Sequence, residues 1–252
     1  MVIAHRAEIS LNTLLAAMRW TGYEEPHLVF AGGERYVPPT AAIGLDNAAM
    51  DELRECGFLA NKGKRFTGDF EDTLHLLNRP PIEYFAHVRT SDESYEILVA
   101  GHDRTAVVAV RQDERVWLKP YRGKNTAALL VDHLPDFPAA NFTPFTVPRH
   151  EITEPNTVTG IYDEKRTRSP EVKELEEIFS VPEYGSGLLH AAKRDHRGNR
   201  RQAPVGLSYL DIDAGRVGLT SGGPRGNEHI VVLPGDRTRL SEKVASLGAS
   251  PH

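Results

Sequence analysis

The chain has 252 residues, 40% of them hydrophobic and 26% charged, enough for one large domain or for two halves that share a sheet. A net charge of −5 excludes a general nucleic-acid binder, which needs surplus Lys and Arg to neutralise phosphates. Cys56 is the one cysteine, so neither an intrachain disulfide nor a thiolate metal cluster is available, and a reducing compartment suits the chain.

The opening residues Met1 to Glu8 lack the apolar core of a signal peptide, and no run of about 18 apolar residues follows, so a cytoplasmic protein without membrane insertion is expected. Ile9, Leu11, Leu14, Leu15 and Met18 recur at helical spacing and stop at Gly22. His27 to Ala31 reads as a short strand ended by Gly32-Gly33. Asp46 is placed to cap a second helix with Ala49, Met50, Leu53 and Cys56 on one face, and a third helix spans Asp69 to Leu77 before Pro80-Pro81.

The period then changes. Ile82–Val88, Tyr95–Ala100, Ala106–Val110 and Val116–Leu118 are rich in β-branched and aromatic residues and are separated by turns of about three residues. Connections this short require antiparallel neighbours. Asn125 caps a helix to Leu134, and residues 136–148 read as a loop rich in Pro, Phe and Thr. Ser169-Pro170-Glu171 opens another helix, with Pro at its first position. Strands are expected again at 187–193, 206–211, 216–220 and 229–233, and a last helix at 236–247.

Each half thus has a helix, a four-strand meander and a second helix. The predicted fold is α+β: two pseudo-twofold-related meander-plus-helix subdomains, residues 1–135 and 150–252, around a central, mainly antiparallel sheet flanked by helices.

Motifs for catalysis have simpler readings. Arg122-Gly123-Lys124-Asn125-Thr126 opens a helix but lacks the first glycine of a P-loop. Asp211 and Asp213 have the spacing to share a cation, yet Ala214-Gly215 makes a hairpin turn of the same stretch. The histidines form no H-x-x-x-H pattern, and Ser186 stands outside a true G-x-S-x-G frame. Residues 44–66, with Lys62-Gly63-Lys64-Arg65, faintly suggest a helix-turn-helix, but the helix that should read DNA begins Asp69-Phe70-Glu71-Asp72. An enzyme of hydrolase type and a regulatory DNA-binding protein are the rival readings. The strongest charge feature is the basic hairpin Lys193 to Arg201, which reads either as a solvated hairpin tip or as a device by which Arg197, Arg200 and Arg201 steer an acidic partner.

The order of elements resembles the EspG family of actinobacterial type VII (ESX) secretion systems. The likeness is carried by Gly185-Ser186-Gly187 before the basic hairpin, by Ala203 to Asp211 with Asp213-Ala214-Gly215-Arg216, and by the ending His229 to Leu247 with its Pro234-Gly235-Asp236 turn. The resemblance implies a cytoplasmic chaperone that binds PE–PPE heterodimers, covers an apolar tip of the PPE partner, and uses no cofactor, nucleotide or metal. It implies contacts from the central sheet, a loop between meander strands and the C-terminal helices. Within the matching stretches of this chain the expected partner-binding residues are Arg89, Asp92, Glu93, Tyr95, Arg104, Arg111 and Asp113.

Overall fold

The structure, a computed structural model, describes residues 1–23, 25–32, 39–60, 65–153 and 168–249. In chain order the elements are β1 (Ala7–Ser10), α1 (Leu11–Trp20), α2 (Pro39–Glu55) and α3 (Gly68–Asn78). The first meander is β2 (Ile82–Thr90), β3 (Ser94–His102), β4 (Thr105–Gln112) and β5 (Arg115–Arg122), followed by α4 (Thr126–Asp132). Then come β6 (Phe145–Pro148), α5 (Arg149–Thr153) and α6 (Pro170–Ser180). The second meander is β7 (Gly185–Arg194), β8 (Arg200–Gln202), β9 (Leu207–Ile212), β10 (Gly215–Gly222) and β11 (His229–Pro234), closed by α7 (Arg237–Ala249).

All named strands join one sheet in the order β1-β5-β4-β3-β2-β7-β9-β10-β11-β6, with β8 hanging on β7. Every strand pair is antiparallel, as the short turns require. The order 5-4-3-2 is mirrored by 7-9-10-11, and the two meanders meet where β2 runs against β7 from Ile82↔Lys193 to Thr90↔Gly185. Asp103 and Asp113 turn the β3–β4 and β4–β5 hairpins at φ +52° and +51°, a left-handed conformation that Asp tolerates better than most residues.

Alternation along the strands divides the core between the two faces of the sheet. On one face Phe85, Leu98, Ala109 and Leu118 pack under α1 and α3, and farther along Val217, Leu219 and Val232 pack under α6. On the other face Tyr84, Ala86, Val99, Leu189 and Leu207 pack under α4 and α7. Helix starts follow capping chemistry: Ser10, Asn125 and Ser169 accept from the backbone N–H groups of Thr13, Ala128 and Val172. The ring of Tyr209 lies across Gly187 so closely that a Cβ there would overlap it.

Four local expectations change. His27 to Ala31 is not a strand but a 3-10 turn at Leu28–Phe30, capped by His27 Nδ1, which accepts from Val29 N–H (3.2 Å). The carbonyls of Val29 and Ala31 bond Arg111 instead of a neighbouring strand. Ile9 belongs to β1, pairs with Val116, and is fully buried, so α1 starts two residues later at Leu11. Asp46 lies inside α2 and pairs with Arg19 (4.0 Å). The Pro-rich stretch ends in β6, which pairs with β11 through Phe145↔Val232. Within residues 44–66, the stretch with a faint helix-turn-helix pattern, Lys62, Gly63 and Lys64 lie outside the described residues.

Candidate functional site

Among the described residues, the part of the first face that stays uncovered lies between the α1–α3 layer and α6. Cross-strand register places Arg111, Glu96, His87, Leu188 and Ser208 in one row running from β4 through β3, β2 and β7 to β9. Arg89, Ser186 and Leu210 form the next row. These residues line an open groove of about 540 Å³ together with Ser94, Tyr95, Asp113 and the backbone around Val88 and Gly187. Both meanders contribute to it, so its floor crosses the β2–β7 junction.

The floor is apolar at its centre and charged at one side. Leu188 is 39% exposed, a large apolar side chain left on a sheet face. Arg111 and His87 flank Glu96, with Nη1–Oε2 at 3.5 Å and Nδ1–Oε1 at 3.3 Å. The hydrogen bond to Glu96, helped by its charge and opposed by burial, raises the His87 pKa above its ordinary 6.5. His190, stacked on Phe85, goes the other way, because burial and the charges of His87 and Arg200 disfavour its cation. Arg111 Nη1 also donates to Val29 O (3.0 Å) and Ala31 O (2.6 Å), which fixes its side chain at the groove wall. Tyr95 adds only its backbone here: its side chain turns to the α4 face, where it donates to His133 O (3.2 Å) and burial pushes its phenol up to about 12. Arg89 is ion-paired with Glu183 at the mouth.

The expected partner-binding residues separate into two places. Arg89, Tyr95, Arg111 and Asp113 line the groove, and Asp92 and Glu93 form the adjoining β2–β3 turn, where Thr90 Oγ1 accepts from both backbone N–H groups. Glu93 also accepts from Gln112 Nε2 (2.7 Å). Arg104 is at the other end of the strands, where its carbonyl accepts from Gly123 N–H (2.7 Å). The hairpin holding Arg197, Arg200 and Arg201 projects from that same far end, since Lys193 is level with Ile82.

Much of the hairpin's charge is bound within the fold. Arg200 Nε donates to the buried carboxylate of Glu83 (2.6 Å), Arg194 donates to the carbonyls of Gly198 and Asn78, and Arg201 pairs with Asp195 (3.7 Å). Sequence reading missed Glu96, His87, Leu188 and Ser208. His87 and Glu96 were readable as strand residues alternating with core positions, but their meeting depends on register, which the sequence does not print.

The other motifs resolve into structure. Arg216 makes a bidentate pair with Asp211 (2.6 and 2.7 Å) and lies 4.2 Å from the Tyr209 ring centre, while Asp213 accepts from Tyr184 (2.6 Å). Among the described residues no group of three or more His, Cys, Asp or Glu side chains is arranged for a metal, and no helix is long and apolar enough to cross a membrane. Burial raises the pKa of Cys56, the opposite of what a nucleophile needs.

Comparison with known proteins matches this chain to a family and to solved structures. The model of the EspG family matches residues 10–246. The solved structure of the Mycobacterium tuberculosis type VII secretion system chaperone EspG5, in complex with a PE25–PPE41 dimer, superposes with a TM-score of 0.64 at 13% sequence identity, covering 96% of this chain and 95% of that one. No curated protein sequence matches.

Proposed function

The chain belongs to the EspG family, and from that premise we propose that it is a type VII secretion chaperone that binds a PE–PPE heterodimer in the sheet groove. The observation that carries this reading is the groove itself: an apolar floor at Leu188 and Leu210, left uncovered by the described residues between two helical layers and rimmed by charge. An exposed concave apolar surface with polar edges suits a protein partner. The similar fold of EspG5, solved with PE25–PPE41, supports the choice of partner class.

Leu188, Leu210 and the exposed face of Ser208 take the partner's apolar tip. Arg89, Asp92 and Asp113 form the rim that sets orientation, and Arg111 holds the wall, whereas the side chains of Tyr95 and Glu93 turn to the other face of the sheet. The work is equilibrium binding without a catalytic step, which accords with the partnered state of Asp211, Asp213 and Cys56. Arg104, Arg197, Arg200 and Arg201 lie too far along the strands to share this rim.

The test is co-expression with PE–PPE pairs encoded beside the gene, read by a shared size-exclusion peak. Leu188→Asp puts a charge into the centre of the interface and is expected to weaken the complex more than 100-fold, as an unpaired buried charge costs several kcal/mol. Its thermal unfolding should match the parent, because Leu188 is partly exposed in the free protein. An intact complex with Leu188→Asp, or no complex with any such pair, overturns the proposal.

A further inference from the structure

A second trough lies on the opposite face of the sheet, outward of α4. Its volume is about 390 Å³, and Val108, Val110, Trp117 and Tyr95 are among the residues that line it. Register puts Trp117 beside Val110 and Lys119 beside Val108. α4 and α7 cover the middle of this face, and Val110 and Trp117 are left half-buried beyond them.

The outer end of the trough is cationic. Lys119 and Arg6 both line it, and both are exposed. The pairing of β1 with β5 ends at Ala7↔Leu118, so Arg6, one residue further out, comes level with Lys119. Like charges side by side across strands disfavour the fold unless an anion joins them. Among the described residues neither cation makes an ion pair, while Lys119 Nζ is held 4.9 Å from the Tyr121 ring centre. At the inner end Glu93 is occupied by Gln112.

We propose that this trough is a second docking site, for an acidic peptide segment of a partner protein that carries an aromatic or aliphatic side chain beside its carboxylates. The carboxylates bridge Arg6 and Lys119, and the apolar side chain lies on Trp117, Val110 and Val108. The trough is too open to enclose a free small molecule, which needs roughly 70–90% of its surface buried. A side chain already attached to a docked partner has no such need. Two cations on a chain of net charge −5 are also too few for a nucleic-acid backbone. The site stands on the face away from the sheet groove and does not depend on the chaperone reading.

Trp117 makes the site self-reporting. The chain has two tryptophans, and Trp20, stacked on Phe66, can be replaced as Trp20→Phe to leave Trp117 as the sole indole. The probe is a capped heptapeptide alternating Glu with Phe and Leu, compared with the same peptide carrying Gln for Glu. A saturable change in Trp117 emission is expected. The Glu peptide should bind about fivefold tighter than the Gln peptide at low salt, the scale of two exposed ion pairs, and the advantage should vanish near 0.5 M salt. Arg6→Gln combined with Lys119→Gln, both at exposed positions, should erase the Glu preference. Equal binding of the two peptides, an unchanged preference in the double variant, or no saturable signal overturns the proposal. Leu188→Asp should leave this titration unaltered, so failure here and failure of the first groove are read separately.

Discussion

At the scale of single residues, Glu83 has the most to lose. It is 1% exposed in the central strand β2, and it ties His27 of the N-terminal segment (3.2 Å) to Arg200 of the second-half hairpin (2.6 Å). Burial alone would raise its pKa, but hydrogen bonds and charge from His27 and Arg200 outweigh burial and hold it below the ordinary 4.5. A depressed carboxylate contributes stability that is complete above pH 4.5 and is lost as pH falls through the lowered value. Glu83→Gln is therefore expected to destabilise by about 3 kcal/mol at neutral pH, measured by urea unfolding, with a smaller difference in acid. In the groove the sign is reversed. The raised His87 value gives an interaction with Glu96 that is full below pH 6.5 and is lost as pH rises through the folded value. Glu96→Gln should bring the His87 titration, followed by imidazole NMR, back down towards 6.5. Neither Glu83 nor Glu96 could be assigned a partner from sequence, because His27 is 56 residues from Glu83 and Arg200 is 117 residues away.

At the scale of elements, the meanders were legible and their outskirts were not. Alternation with turn residues marks β2 to β5 and β9 to β11 because one property, period-2 burial, repeats over several strands. His27 to Ala31 has strand-like composition, yet a tertiary contact decides it: Arg111 takes the two carbonyls that a ladder would need. Arg111→Leu should release the turn. Amide exchange at Phe30 and Ala31, whose N–H groups bond His27 O and Leu28 O, should accelerate about 10- to 100-fold, matching loss of a charge-assisted hydrogen bond of about 1.5–3 kcal/mol. β1 and β6 escaped the sequence reading for a related reason. Each has four residues, too few for alternation to show, and each is fixed by the strand beside it.

For the whole molecule, the two-meander plan was readable, but the site was not, because the groove exists only where β2 and β7 come together. One core under α4 and α7 mixes Tyr84, Ala86 and Val99 with Leu189, Leu207, Leu240 and Val244. Shared burial of this kind couples the halves, so unfolding is expected to be a single transition. Tryptophan emission reports only the first half, through Trp20 and Trp117, whereas far-UV circular dichroism reports both. The two denaturation curves should coincide; a separate tryptophan transition would show independent halves.

The short outer strands also bear on self-association. A long antiparallel sheet tempts other chains to add to it through the unpaired backbone of its boundary strands, the usual start of aggregation. Here β1 and β6 present four residues each; β1 turns at once into α1, and β6 finishes on Pro148, which has no N–H to offer. A protein that exposes apolar surface to receive others is thus poorly built to polymerise through its own boundaries, and it can remain sticky on its faces at high concentration.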